Sequence, residues 1–288
     1  MRLPTVRLRA FILPMLLALV PATLAASEAA APARGLDDLI KLRCSLDTKD
    51  QVLIWWSGTL FSLHEQKAPK PLMGFEGYNI CRSERQADGS WRLLTRELTF
   101  YRDLKTGQII DRWENPYTKQ SNTVVHVAND PVNTVFKPGG YPLPWGESGD
   151  TVMLTLNIPL AYPNPLTPAE FPKASSGEIY AGSEHFAFFA PKVAMDDPAL
   201  NQVPLNVGWT RVGPWLPWME MGQAEGRLLY VGQGNKRASV AELPKDIQER
   251  IARDYPEYAE APREWQQPNM TSWTYYKQLQ GKEAKQTK

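Results

Sequence analysis

β signals dominate the chain from residue 51 onward, as short apolar and aromatic runs separated by turn residues. Residues 51–63 (QVLIWWSGTLFSL) hold Gly58 at their centre, which suits a bend in a curved strand. Residues 72–85 predict a second strand containing Gly74 and Gly77. Asp88-Gly89 is a hairpin signal, and residues 91–102 follow as a third strand. A five-residue turn at 103–107 returns the chain into 108–115, which Pro116 closes. That turn sets Arg102 opposite Gln108, Leu98 opposite Arg112, Arg96 opposite Glu114 and Glu97 opposite Trp113. Residues 123–129 are the next strand, ended by Asp130-Pro131. Residues 137–172 hold eight of the 25 prolines and read as loop around one strand, 152–158. Strands are predicted over 178–192, 207–211 and 226–233, and a last one over 272–279. Helical spacing is confined to residues 36–42 and to 243–255, where Leu243, Ile247 and Ile251 recur at i, i+4 and i+8 behind Pro244.

Many short strands, few helices and glycines inside strands predict a mainly β fold. The expected architecture is an antiparallel, closed or nearly closed β-barrel, lipocalin-like, with a late amphipathic helix. The N-terminus reads differently. Arg2, Arg7 and Arg9 precede an apolar run at 10–20, and Thr23-Leu24-Ala25 offers small residues for cleavage. This is the pattern of a secretory signal peptide over 1–25, too short and proline-broken for a membrane span. Residues 26–35 read as a disordered linker and 36–288 as one domain, so the expected location is periplasmic or secreted. The formal charge is +1; removing residues 1–25, with three Arg and no acid, leaves −2. That balance carries no footprint for nucleic acid. Cys44 and Cys81 are either a disulfide or two buried thiols.

Candidate chemistry concentrates in residues 96–133, where polar side chains stand among aromatics and suggest the wall of a polar cavity. His126 supplies a group that titrates near neutrality, Glu97 and Asp130 supply carboxylates, and Arg112 a fixed cation; these four are the candidate catalytic set. Asn115, Asn129 and Asn133 add amide donors. The competing reading is structural, with Arg112 in an ion pair and residues 129–131 as an Asx turn. Alternation puts His126 and Asn129 on opposite faces unless the strand bulges or ends between them. Residues 209–222 (WTRVGPWLPWMEMG) are the second distinctive segment. Trp209, Trp215 and Trp218 with Arg211 suit either the mouth of a ligand pocket or a plug over one barrel end. Glu76 and His185 complete the candidate ligand-binding residues. Alternation sets Glu184, Phe186 and Phe188 on one face and His185 on the other. No serine-hydrolase elbow, zinc-protease helix, phosphate loop or C-x-x-C motif occurs. His64, His126 and His185 lack ligand-like spacing, so no metal or other cofactor is expected.

The series D-x-x-T-G, W-x-N-P-x-T and H-V-x-N-D-P-V-N is distinctive. Here it comprises Asp103, Thr106, Gly107, Trp113, Asn115, Pro116, Thr118, His126, Val127, Asn129, Asp130, Pro131, Val132 and Asn133. With WWSGTLFS and LMGFEGYNICR it resembles the bacterial and fungal family called domain of unknown function 1838. The resemblance spans most of the mature chain and implies one domain, often exported, with no activity to transfer. Two functions are expected from the residues themselves. One is a cofactor-independent lyase, isomerase or hydrolase moving a proton on a small aromatic or lipophilic oxygenated compound. The other is a small-molecule-binding barrel without chemistry.

Overall fold

The aromatic and β-branched runs become the long strands of one antiparallel sheet. The computed structural model describes residues 34–286 apart from 141; the signal-peptide reading and most of the linker fall on residues 1–33 and lie outside the described residues. Strands β1 (Val52–Leu63), β2 (Lys70–Arg85) and β3 (Trp91–Arg102) form a meander. β4 (Arg112–Glu114) and β5 (Ser121–Thr123) pair with each other, off the main sheet. β6 (Val127–Asn129) and β7 (Thr134–Phe136) both return to β3. β8 (Trp145–Ser148), β9 (Thr151–Pro163), β10 (Ile179–Pro191), β11 (Asn206–Gly213) and β12 (Arg227–Arg237) form a second meander, and β12 pairs with β1. The sheet order is β6-β3-β2-β1-β12-β11-β10-β9-β8. Helices α1 (Leu36–Arg43), α2 (Lys192–Asp196), α3 (Lys245–Asp254) and α4 (Ser272–Gln286) pack around it.

The sheet is antiparallel but open, which corrects the closed or nearly closed lipocalin-like barrel. Among the described residues no ladder joins β8 to β6 or β7. The end strands are three or four residues long and offer too few backbone groups for closure. The sheet curls instead. Trp91 and Leu93 of β3 share one apolar cluster with Val152 and Leu154 of β9 and Phe188 of β10. The bend falls where inner-face side chains are missing. A Cβ on Gly58 would lie 2.2 Å from the Val231 carbonyl oxygen and 2.7 Å from Phe75 Cζ. One on Gly234 would lie 2.0 Å from the Trp55 carbonyl oxygen.

The outer face is closed by the expected amphipathic helix. Ile247 and Ile251 of α3, with Leu243 before it, cover Leu53, Tyr78, Ile80, Leu98 and Phe100. The expected hairpin after β3 does not persist. It survives as one bridge, Arg102 to Ile109, and then the chain peels away. β3 takes its next partners from further on, with Glu97 opposite Asn129, Leu98 opposite Ala128 and Thr99 opposite Val127. Arg112, Trp113 and Glu114 face Thr123, Asn122 and Ser121 instead. The last predicted strand is helix α4. Its aromatic residues suggest a strand, but Trp273 and Tyr276 bury together at helical spacing. Cys44 and Cys81 form a disulfide that ties the residue after α1 to β2.

Close approach at the bend gives a direct test. Gly58→Ala is expected to lower unfolding free energy by about 1–3 kcal/mol, because the added Cβ would overlap the β12 backbone and Phe75. Gly208→Ala is the matched strand control, since nothing lies within 4 Å of its added Cβ. It should leave stability within about 0.5 kcal/mol of the parent in urea titration.

Candidate functional site

Strand alternation sorts β3 into two chemistries. Leu98 and Phe100 lie under α3, while Glu97, Thr99 and Tyr101 line the inner face. Ladder register then builds the rest of the wall. Asn129 stands opposite Glu97. Glu184 pairs with Arg211, which pairs in turn with Tyr230, and Phe186 pairs with Trp209. Two adjoining cavities result, of about 360 Å³ and 280 Å³. Trp56, Glu97, Leu160, Glu184 and Trp209 belong to both. The larger reaches Arg43 at the end of α1, and the smaller reaches Trp273 at the start of α4.

The polar groups on this wall are unequally satisfied. Arg211 Nε lies 3.2 Å from Glu184 Oε1, and its Nη2 donates to the Tyr180 hydroxyl. Burial opposes the charge on Arg211, yet Tyr180, Tyr230 and Glu184 outweigh it and hold the guanidinium protonated. The Tyr101 and Tyr230 hydroxyls are 3.3 Å apart, and burial raises both above the ordinary tyrosine value. Among the described residues Glu97 has no ion pair within 4 Å. Burial first, then the like charge of Glu184, push its carboxyl up to about 7, against the opposing pull of Arg211 and Asn129. Trp209 Nε1 and Asn129 Oδ1 are buried without a hydrogen-bond partner. Such atoms are uncommon in a folded chain and stand here on a cavity wall.

Of the residues singled out in the sequence, Glu97, Asn129, Trp209 and Arg211 reach this cavity. The others do not. His126 is buried on the far side of β3, where its Nδ1 accepts the Tyr101 N–H at 3.3 Å. Arg112 is exposed and donates to Ser121. Asp130 pairs with Arg96 at 2.8 Å. Glu76 accepts from Trp55 and pairs with Arg102, each at 2.8 Å, behind the wall. Asn115 ties its own turn to the Met219 carbonyl, and Asn133 bridges Thr95 to Gln266. Trp215 and Trp218 are buried core residues, and His185 is exposed against Asn157. Tyr101, Tyr180, Tyr230 and Arg43 also line the two cavities, and no local motif marks them. Alternation had already grouped Glu184 with Phe186 and Phe188; only the register with β11 shows Arg211 as its partner. Among the described residues no group of three His, Cys, Asp or Glu gathers to hold a metal.

His126 acts on stability. Burial, helped by Arg250, lowers its affinity for protons to about 4, against the opposing pull of Asp111 at 3.8 Å. The neutral ring is therefore the folded form, and acid favours the unfolded chain, which binds a proton from about 6.5. Stability is complete above pH 6.5 and is lost as pH falls to 4. At about 1.4 kcal/mol per pKa unit the loss is roughly 3 kcal/mol. In denaturant titrations at pH 7 and pH 4, His126→Gln should lose roughly 3 kcal/mol less than the parent. Equal losses would remove this role.

No curated protein matches the chain. The model of the family described as protein of unknown function, DUF1838, matches residues 49–280, which hold every strand of the sheet and all of the cavity wall except Arg43. The chain belongs to the DUF1838 family.

Proposed function

We propose that the inner cavity takes a small oxygenated compound with an aromatic or lipophilic body, and that Glu97 moves a proton on it without a cofactor. The step is of the lyase, isomerase or hydrolase kind. The observation that carries this reading is the unpaired Glu97 carboxyl on an aromatic cavity wall, balanced near neutrality. A general base works best when its proton affinity lies near the working pH. In its ionised form Glu97 accepts a proton from a carbon or hydroxyl of the ligand. Arg211, held charged, lies on the same wall to stabilise the oxyanion that forms. Trp209 Nε1 supplies an unspent donor and Asn129 Oδ1 an unspent acceptor to orient the ligand. These two unspent atoms also favour the second reading, a binding protein without chemistry. The N-terminal pattern and the Cys44–Cys81 disulfide support export to an oxidising compartment.

The test begins with a thermal-shift screen of aromatic ketones, lactones and acids. Proton NMR in D₂O then follows turnover or C–H to C–D exchange in whatever stabilises the protein. The rate is expected to rise with pH through about 7 as Glu97 ionises. Glu97→Gln should slow it by at least about 100-fold while keeping the thermal shift. A ligand that binds but is never turned over or exchanged would leave only the binding reading. An unchanged rate in Glu97→Gln would remove Glu97 from the chemistry.

A further inference from the structure

Several cations that the fold removes from solvent are answered by oxygen acceptors. Lys41 Nζ donates to the carbonyls of Met195 and Asp197 at 2.9 and 2.6 Å. Lys236 Nζ donates to those of Lys41 and Cys44, both at 3.0 Å. Arg34 meets Glu147 and Asp196, each at 2.8 Å. Arg43, on the cavity wall, is not so answered. Its Nε is buried with no hydrogen-bond partner, and among the described residues its guanidinium has no ion pair. It lines the larger cavity over the rings of Phe186 and Phe188, 5.9 and 5.6 Å from their centroids. Its position is not left to chance, because the next residue is bonded to β2 through Cys44–Cys81. Burial weakens its charged form, and the acid that supports it, Glu184, is already engaged by Arg211. An unpaired buried cation is costly unless something answers it.

We propose that Arg43 is the anchor for a ligand anion, so that the cavity takes a monoanionic amphipathic acid. Its carboxylate pairs with the guanidinium fork, and its aromatic or lipophilic body lies along Phe186 and Trp209 toward Glu97. This rests on the cavity assigned above and adds the class of compound. A carboxylate matches the planar fork in a way that a neutral oxygen does not. The cavity's own charges argue for one negative charge and no more. Arg43 and Arg211 face Glu184 and a half-protonated Glu97, so the surplus is at most a single positive charge.

Calorimetric titration with phenylbutyrate and with phenylbutanol, its uncharged counterpart, tests this on the full chain. The acid should bind at least about tenfold more tightly than the alcohol. Arg43→Gln should erase that preference and leave the alcohol's affinity unchanged, which also shows that the variant is folded. Arg43→Lys, which keeps the charge without the fork, should retain part of it. Equal binding of acid and alcohol by the parent, or an intact preference in Arg43→Gln, would overturn the proposal. If Arg43→Gln does not fold, an unaltered acid affinity in Arg43→Lys overturns it. Glu97→Gln should keep the acid preference while losing turnover. Failure of the anion anchor is thus read from the acid-to-alcohol ratio, and failure of the proton-transfer reading from the rate.

Discussion

The missing side chains at the bend of the sheet set everything that follows. β3 and β10 are five strand steps apart in the sheet order. At about 4.8 Å per step, a flat sheet would hold them roughly 24 Å apart, beyond any useful interaction between their acids. Yet Glu97 and Glu184 line the same cavities, and the charge of one shifts the proton affinity of the other. Curling brings them together, and curling needs the backbone-to-backbone approach that Gly58 and Gly234 permit. Phe75, laid over Gly58 and Gly232, fills the inside of the bend. Closure into a barrel is not required for this. The short end strands leave the ladder open, while apolar side chains from β3, β9 and β10 seal the inner face.

Inside the curl, the distribution of partners separates support from chemistry. Arg211 is held by Glu184 and Tyr180, and burial alone does not discharge it. Glu97 has only the Asn129 amide for a hydrogen-bond partner and stands between carriers of both signs. A wall built for stability alone would satisfy its polar atoms, since each orphan costs about 1–3 kcal/mol. Among the buried side-chain atoms without a hydrogen-bond partner, Trp209 Nε1, Asn129 Oδ1 and Arg43 Nε belong to residues that line the two cavities.

Much of this was legible in the chain. The long strands, the outer helix α3 and the two faces of β3 follow from local periodicity, and the glycines in β1 and β2 announced curvature. What was illegible depended on pairing between distant segments. Asn129 meets Glu97 because the hairpin after β3 peels away at Ile109 and lets β6 replace it. Nothing local distinguishes that from a continued hairpin. Several of the distinctive polar residues of 96–133 are buried fasteners. Asn115 and Asn133 tie carbonyls and amides of loops that no ladder serves. Polar residues at such positions read like a site because a site and an irregular buried loop need the same donors and acceptors. Arg43 was invisible for the opposite reason. It sits in an ordinary amphipathic helix, and its isolation appears only when its neighbours are in place.

His126 and Glu97 show how far one strand can divide two titrating groups. Both come from the same polar segment, and β3 stands between them. His126 is held neutral, so its contribution to stability is present above pH 6.5 and fades as pH falls toward 4. Glu97 is held protonated well above its ordinary value of 4.5, so its contribution is present in acid and fades as pH rises through about 7. Between pH 4.5 and 6.5 the two slopes oppose each other. The two contributions together therefore vary less with pH there than either residue alone would dictate. The histidine, which by type is the natural acid–base group, is locked into the fold's scaffold, and the carboxyl across the strand is left free to exchange its proton near neutrality.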